Sequence, residues 1–443
     1  MTEPTQQAKD PYGKDLFHRN QTLGENLIHI LSLQQDSFVI ALNGSWGTGK
    51  TTFIEMWTEA LQNAPKEEAV NYNVIMFNAW ENDCFDVPLI SLISEINIDD
   101  KGKKKEMLTQ LRRVGLHLAT KTLSSFVPWV DISADDFDPS KLSTNEEKKI
   151  NDFFDTFAAE KRLLNDFKSQ LGELATQESP ILFIVDELDR CKPTYSIIFL
   201  ERIKHLFDVP NVYFVLAIDK EQLGISIQSV YGNIDIDGYL RRFINLTIDL
   251  PEVKPAIYIK HLLKQPSFTK VLEHYKLDGH SYLKEFLPWF ASMYNFSLRD
   301  IEVLLLHLRL AICTIPENIK THLPEISTLL CLKTYDDKLY HNFCHAKIKA
   351  DDIIKKNPKH EYIDESKEDR RQHKYQKNLF EAALIFLDPS DSVDSYLRIK
   401  RPSDDIANLL KKMQKQEELP EEPKKRLQKV YKHIEMIDKM YHI

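Results

Sequence analysis

The 443-residue sequence has no surplus of positive charge, no paired cysteines and no long apolar run. Acids outnumber bases, 67 Asp and Glu against 58 Lys and Arg, giving a formal charge of −9 and a pI near 6.0. Wholesale coating of nucleic acid needs the opposite balance, which leaves only a local basic groove for such a partner. The cysteines, Cys84, Cys191, Cys313, Cys331 and Cys344, are odd in number, scattered, and form no C-x-x-C pair. That usage argues against a disulfide frame or zinc ribbon and predicts reduced, mostly buried thiols of a cytoplasmic protein. The N-terminus, MTEPTQQAKDPYGKD, lacks a basic stretch followed by an apolar one, so no secretory signal is expected. No run of about 18 uncharged apolar residues occurs, so no membrane span is expected. The best candidate, Val114 to Val130, is broken by His117, Lys121 and Pro128 and reads as a helix packed on the protein. No internal repeat is visible.

What is present is enough apolar residue, 42% of the chain, to fill two or three domains. After a polar lead-in over 1–20, helical spacing at Leu23, Leu27, Ile28 and Leu31 gives way to the apolar run SFVIALNG (37–44), a buried strand. A helix follows through Phe53, Ile54, Trp57 and Leu61. Further strands are expected at 72–80, 181–189, 212–219 and 244–252, with charged helices and a loop-like interval at 131–145 inserted across 86–175. Strands alternating with helices predict a parallel sheet covered on both faces. Beyond about 253 the strand-like runs stop. Residues 253–330 read as a helical bundle and 331–443 as a charge-balanced helical region, with a turn at EELPEEPKK (417–425).

The strongest motif is Gly44-Ser45-Trp46-Gly47-Thr48-Gly49-Lys50-Thr51, which satisfies G-x-x-x-x-G-K-[ST]. Glycines let the backbone curl until successive N–H groups point inward at phosphate oxygens, and the helix that follows adds its positive end. Lys50 would reach the β- and γ-phosphates, Thr51 would ligate Mg²⁺, and Thr52 would contact the α-phosphate. Chance gives this pattern in about 1–2% of chains of this length at average composition, and its place between strand and helix lowers that further. In ILFIVDELDR, five apolar residues deliver Asp186 to a strand end, where it can hold Mg²⁺, with Glu187 beside it to polarise water. Without a phosphate loop, such acids would read equally well as merely solvated. Asp219 ends the next strand, where open α/β sheets bind ligands, and reads equally well as the N-cap of the helix after it. Among Arg190, Arg241, Arg242 and Arg299, the last two are favoured to neutralise transition-state charge. No guanine-reading N-K-x-D motif occurs, so ATP is the expected nucleotide.

With these motifs in hand, the chain resembles the KAP family of P-loop NTPases. The resemblance is carried by NGSWGTGKTTF (43–53), VIMFNAWEND (74–83), ILFIVDELDRC (181–191), VYFVLAIDKEQL (212–223), GYLRRFINLTIDLP (238–251) and FSLRDIEVLL (296–305). It implies an additional-strand (ASCE-type) P-loop core with a five-stranded sheet in the order 5-1-4-3-2, followed by a helical lid and a C-terminal helical region. It also places Asp186 and Glu187 at the Walker B positions, Asp219 on the sensor strand and Arg299 as a second-sensor arginine. Many relatives carry transmembrane helices between the two Walker motifs. This chain has charged helices there, so membrane placement is not carried over. The usual paired aspartates are here Asp186-Glu187, which favours hydrolysis.

The resemblance and the motifs together predict an ATP- and Mg²⁺-dependent switch that signals to a separate effector or sensor protein, in the setting of bacterial phage exclusion. A homo-oligomer is expected if an arginine acts in trans. The alternative is a nucleotide-dependent assembly module with little turnover. A small-molecule kinase would need an acceptor pocket with its own base, and none is visible. The basic run KGKKK (101–105) reads as a solvated loop, so nucleic acid has no clear support as a partner.

Overall fold

The computed structural model describes residues 19–63, 70–96, 106–116, 161–277, 282–314, 319–356, 367–388, 404–416 and 431–435, less positions 86, 107, 115 and 433. The loop-like interval at 131–145, the basic run at 101–105, the turn at 417–425 and most of 114–130 lie outside them. The chain divides into two compact units, Met1–Pro251 and Glu252–Ile443.

In the first unit, helix α1 (Glu25–Ser32) precedes strand β1 (Phe38–Asn43), and α2 (Lys50–Gln62) follows it. The remaining strands are β2 (Asn73–Asn78), β3 (Ile181–Asp186), β4 (Val212–Ile218) and β5 (Leu246–Asp249). All neighbouring strands pair in parallel, in the order β2-β3-β4-β1-β5. Read from the other edge this is 5-1-4-3-2, with β4 as the additional strand between β1 and β3. The three inner strands are buried on both faces, which is why they read as unbroken apolar runs rather than alternating ones.

Alternate residues of each inner strand serve different cores. Ile40, Leu42, Ile184 and Val215 pack with Leu27 and Leu31 of α1 and with Phe53, Ile54 and Trp57 of α2. Ala41, Phe183, Val185, Phe214 and Leu216 pack with the helices Pro193–Leu206 and Lys220–Tyr231 on the other side. On that side the Phe183 and Phe214 rings stack at 4.7 Å, and Phe207 meets both edge-on at 5.5 and 5.6 Å. The edge strand β5 keeps the in-out alternation of a half-covered strand.

Every described regular element of the second unit is helical. One apolar cluster runs from Ile259 to Ile434 and centres on Phe286, Trp289, Phe290 and Phe380. Helix Ile319–Tyr335 runs through position 330, so helices on either side of that position share this core. Among the described residues no helix is long and apolar enough to cross a membrane. All five cysteines are free thiols, and Cys191, Cys331 and Cys344 are buried.

Candidate nucleotide-binding site

The loop after β1 is shaped by backbone bonds that only small residues allow. Gly44 N–H donates to the Ile218 carbonyl at 3.1 Å, so the chain leaves β1 alongside β4. A Cβ on Gly44 would meet Thr48 Oγ1 at 2.9 Å and Leu250 Cβ at 3.4 Å, so a side chain there would have to displace the Thr48 hydroxyl. Gly47 and Gly49 stand at φ 79° and 85°, the left-handed region that costs glycine little. The Thr48 hydroxyl donates to the Ser45 carbonyl at 2.8 Å, and Phe53 N–H to the Gly49 carbonyl at 3.0 Å as α2 begins. The result is a curled loop feeding a helix N-terminus, the arrangement that receives phosphate.

Lys50 begins that helix and is only 9% exposed. Its Nζ donates to the carbonyls of Gly44 at 2.5 Å and Ser45 at 3.3 Å. Burial pulls its pKa down, opposed by the negative charges of Asp189, Asp219 and Asp186. Asp186, 5% exposed, ends β3 directly across from the loop. Its Oδ2 accepts from Thr51 Oγ1 at 2.6 Å and its Oδ1 from Glu187 N–H at 2.9 Å, while burial pushes its pKa up. These two oxygen donors, already in contact, suit Mg²⁺, which takes few protein ligands and fills its octahedron with phosphate oxygens and water. Among the described residues no cluster of three His, Cys, Asp or Glu offers a closed metal site.

Glu187 has φ 61° and ψ 24°, a left-handed conformation that costs a residue with a Cβ about 1–2 kcal/mol. Its carboxylate meets Arg190 Nη1 at 3.0 Å and Asn78 Nδ2 at 3.4 Å. The Arg190 guanidinium also lies 5.6 Å from the centroid of the Trp80 ring. Trp46, half exposed, donates from Nε1 to Asp189 Oδ2 at 2.6 Å and so ties the phosphate loop to the acidic loop. Asp83 accepts from Lys192 N–H at 2.8 Å and pairs with Lys192 Nζ at 3.2 Å. The FNAWEND segment is thus wired to DELDRC through Asn78 with Glu187, and to the next residue, Lys192, through Asp83.

Asp219 caps the helix Lys220–Tyr231, accepting from Glu221 N–H at 3.1 Å and Gln222 N–H at 3.2 Å. It is buried and close enough to Lys50 to act on its charge. Thr52 is exposed in the first turn of α2. Arg242 is exposed and stacks on Tyr239, with its Cζ 5.9 Å from the ring centroid. It precedes Asn245, whose side chain accepts from Val39 N–H at 2.9 Å. Arg242 therefore sits near the amino ends of the strands, and the length of β1, roughly 16 Å at 3.3 Å per residue, separates that edge from the loop. Arg299 is exposed in the first turn of the helix Leu298–Thr314, in the second unit. The structure thus gathers Gly44 to Thr51, Asp186, Glu187 and Asp219, and does not gather Arg242 with them.

Two residues of the site carry no role in the sequence reading. Asn78 lay inside the FNAW segment, where a polar residue at a strand end next to an acidic strand was the available signal. Arg19 fell in the polar lead-in, and a lone arginine there gives no signal. It is 4% exposed, and its Nη1 donates to the Thr48 carbonyl of the phosphate loop at 2.9 Å.

A parallel sheet with an inserted β4, a glycine loop between β1 and α2, and a strand-end aspartate touching the loop threonine define a P-loop NTPase of the additional-strand class. The chain belongs to the KAP family: the model described as the KAP family P-loop domain matches residues 20–311. It is 21% identical over 244 residues to the phage T7 exclusion protein of Escherichia coli (strain K12), an alignment that covers 52% of this chain and 32% of that protein. The chain thus matches about a third of that relative's length. Among solved structures it is similar to the Aeropyrum Pernix ORC2 protein (ADPNP-ADP complexes), with 14% identity, 95% of each chain covered and a TM-score of 0.33. A structure of a DNA replication initiation factor aligns at 12% identity and a TM-score of 0.31, covering 96% of this chain and 93% of that one. Superposition this loose bears on neither fold nor function.

Proposed function

We propose that this chain is a Mg²⁺-dependent ATP-binding and hydrolysing switch that passes its nucleotide state to a partner protein in antiphage defence. The observation that carries the reading is the 2.6 Å contact between Thr51 Oγ1 and Asp186 Oδ2 at the mouth of the glycine loop. In this reading the loop amides and Lys50 would hold the triphosphate, and Thr51 and Asp186 would hold Mg²⁺, which would supply positive charge against that developing on the phosphates. Glu187 accepts the proton of the attacking water, and Asp219, just past the end of β4, orients that water. Arg242 reaches a neighbouring protomer's site rather than its own, and Arg299 senses nucleotide from the helical unit. The defence setting rests on the name of the E. coli relative, of which this chain matches only a part.

A second reading, nucleotide-dependent assembly with little turnover, is favoured by one feature. Both Glu187 carboxylate oxygens are engaged, by Arg190 and by Asn78, which leaves the base poorly placed to take a proton. Glu187→Gln separates the two. Phosphate release by the wild type should exceed that of the variant by at least 100-fold, given what a positioned base contributes, about 10²–10⁴, while both bind ATP alike. Equal release from both proteins would leave assembly as the function.

A further inference from the structure

Arg19 lies outside every chemistry-bearing motif, yet its side chain is buried against the phosphate loop. Nη1 donates to the Thr48 carbonyl at 2.9 Å, and Nη2 donates to the carbonyl of Pro251, the last residue of the first unit. A buried guanidinium is costly unless its donors are used, and its fixed fork can hold two carbonyls at once where a lysine offers a single point charge.

The consequence follows from peptide geometry. Among the described residues there are no cis peptide bonds, so the Thr48 carbonyl and the Gly49 N–H lie in one plane and point in opposite directions within it. A carbonyl drawn onto Arg19 turns the Gly49 N–H away from it, toward the side where a phosphate is received. Gly49 at φ 85° then hands its own carbonyl to Phe53 N–H, so this one peptide sets the junction between loop and helix. Arg19 stands at the N-cap of a π-helical turn, Asn20–Gly24, that runs directly into α1. Leu23, Leu27 and Leu31 pack on Phe53, Ile54 and Trp57 of α2, the helix that starts in the loop.

We propose that Arg19 is a positioning residue for the triphosphate. One arm orients the Thr48–Gly49 peptide so that its N–H is presented to a phosphate. The other ties that peptide to Pro251, so that ordering of the loop is felt where the chain leaves for the helical unit. The inference rests on residues 44–51 being a phosphate loop, and it does not depend on hydrolysis.

The test uses the full chain, Arg19→Ala and Arg19→Lys, with Mg·ATP and Mg·tripolyphosphate as calorimetric ligands and hydrogen exchange read over residues 250–257. Tripolyphosphate probes the loop without a base or sugar. Arg19→Ala should weaken both ligands by a similar factor, on the order of ten-fold for a lost charge-assisted contact, and Arg19→Lys should recover part of it. Saturating ATP should slow exchange over 250–257 in the wild type and not in Arg19→Ala. A packing strut would lower the melting temperature yet leave the tripolyphosphate affinity and the ATP-induced protection as in the wild type, and that result overturns the proposal. Should Arg19→Ala not fold, Arg19→Lys decides alone: weaker binding with lost protection supports the role, and wild-type values for both remove it. A wild type that binds neither ligand takes the phosphate-loop reading down as well, whereas wild-type affinity in Arg19→Ala removes only the role of Arg19.

Discussion

Asp186, the candidate metal-holding carboxylate, is kept at a cost to the fold. Burial raises its pKa, so folding disfavours the ionised form. Below the usual carboxylate range the group is protonated in both states and no penalty arises. Stability falls as pH rises from the unperturbed value through the raised one, and the full penalty stands above the raised value. Asp186→Asn removes the charge and still accepts from Thr51, so it should melt higher than the wild type at pH 7.5, at about 2–4 °C per kcal/mol recovered. The gain should vanish below about pH 4, near the unperturbed carboxylate value, and Mg²⁺-dependent ATP binding should be weakened. A scanning-calorimetry series over pH reads the first effect, and an unchanged or lower melting temperature at pH 7.5 would show that Asp186 is not a strained charge.

The loop between β1 and α2 is where local chemistry was most legible. Its glycines, lysine and threonine announce a phosphate nest because the backbone geometry admits few other residues. Gly49→Ala should test this without touching a charge. The left-handed φ of 85° costs alanine about 1–2 kcal/mol, so the loop should open and ATP affinity should fall roughly ten-fold while the sheet stays intact by circular dichroism. Wild-type affinity in that variant would mean the loop tolerates a different path. The links around the loop were far less legible. Trp46 with Asp189, Asn78 with Glu187 and Arg19 with Thr48 join residues 143, 109 and 29 positions apart, and no local pattern encodes such pairings. Asp219 was ambiguous because a cap and a sensor need the same residue at the same strand end. The structure shows its capping bonds.

The division at Pro251 follows from how apolar residues are distributed. Two clusters line the faces of one parallel sheet, and a third, entirely helical, lies beyond residue 252. The end of strand-like runs near 253 made that change visible in the sequence. The shared core across position 330 was not visible, because a helix-rich segment shows its period but not its partner. Each unit has a core of its own, so fragments 1–251 and 252–443 should each melt cooperatively. The first should keep Mg·ATP affinity within about three-fold, the spread of context effects under 1 kcal/mol. A first fragment that is unfolded, or folded and blind to nucleotide, would show that the helical unit is needed to build the site.

The central claim is that a triphosphate sits in the loop of residues 44–51 on the Lys50 ammonium. Its most direct measurement is a calorimetric titration of Mg·ATP into the full chain and into Lys50→Ala, with the fold of both checked by circular dichroism. The account predicts measurable binding to the wild type and a loss of at least about 100-fold in the variant, the 3 kcal/mol scale of a buried charge-assisted contact. Lys50→Ala binding Mg·ATP as tightly as the wild type would contradict it.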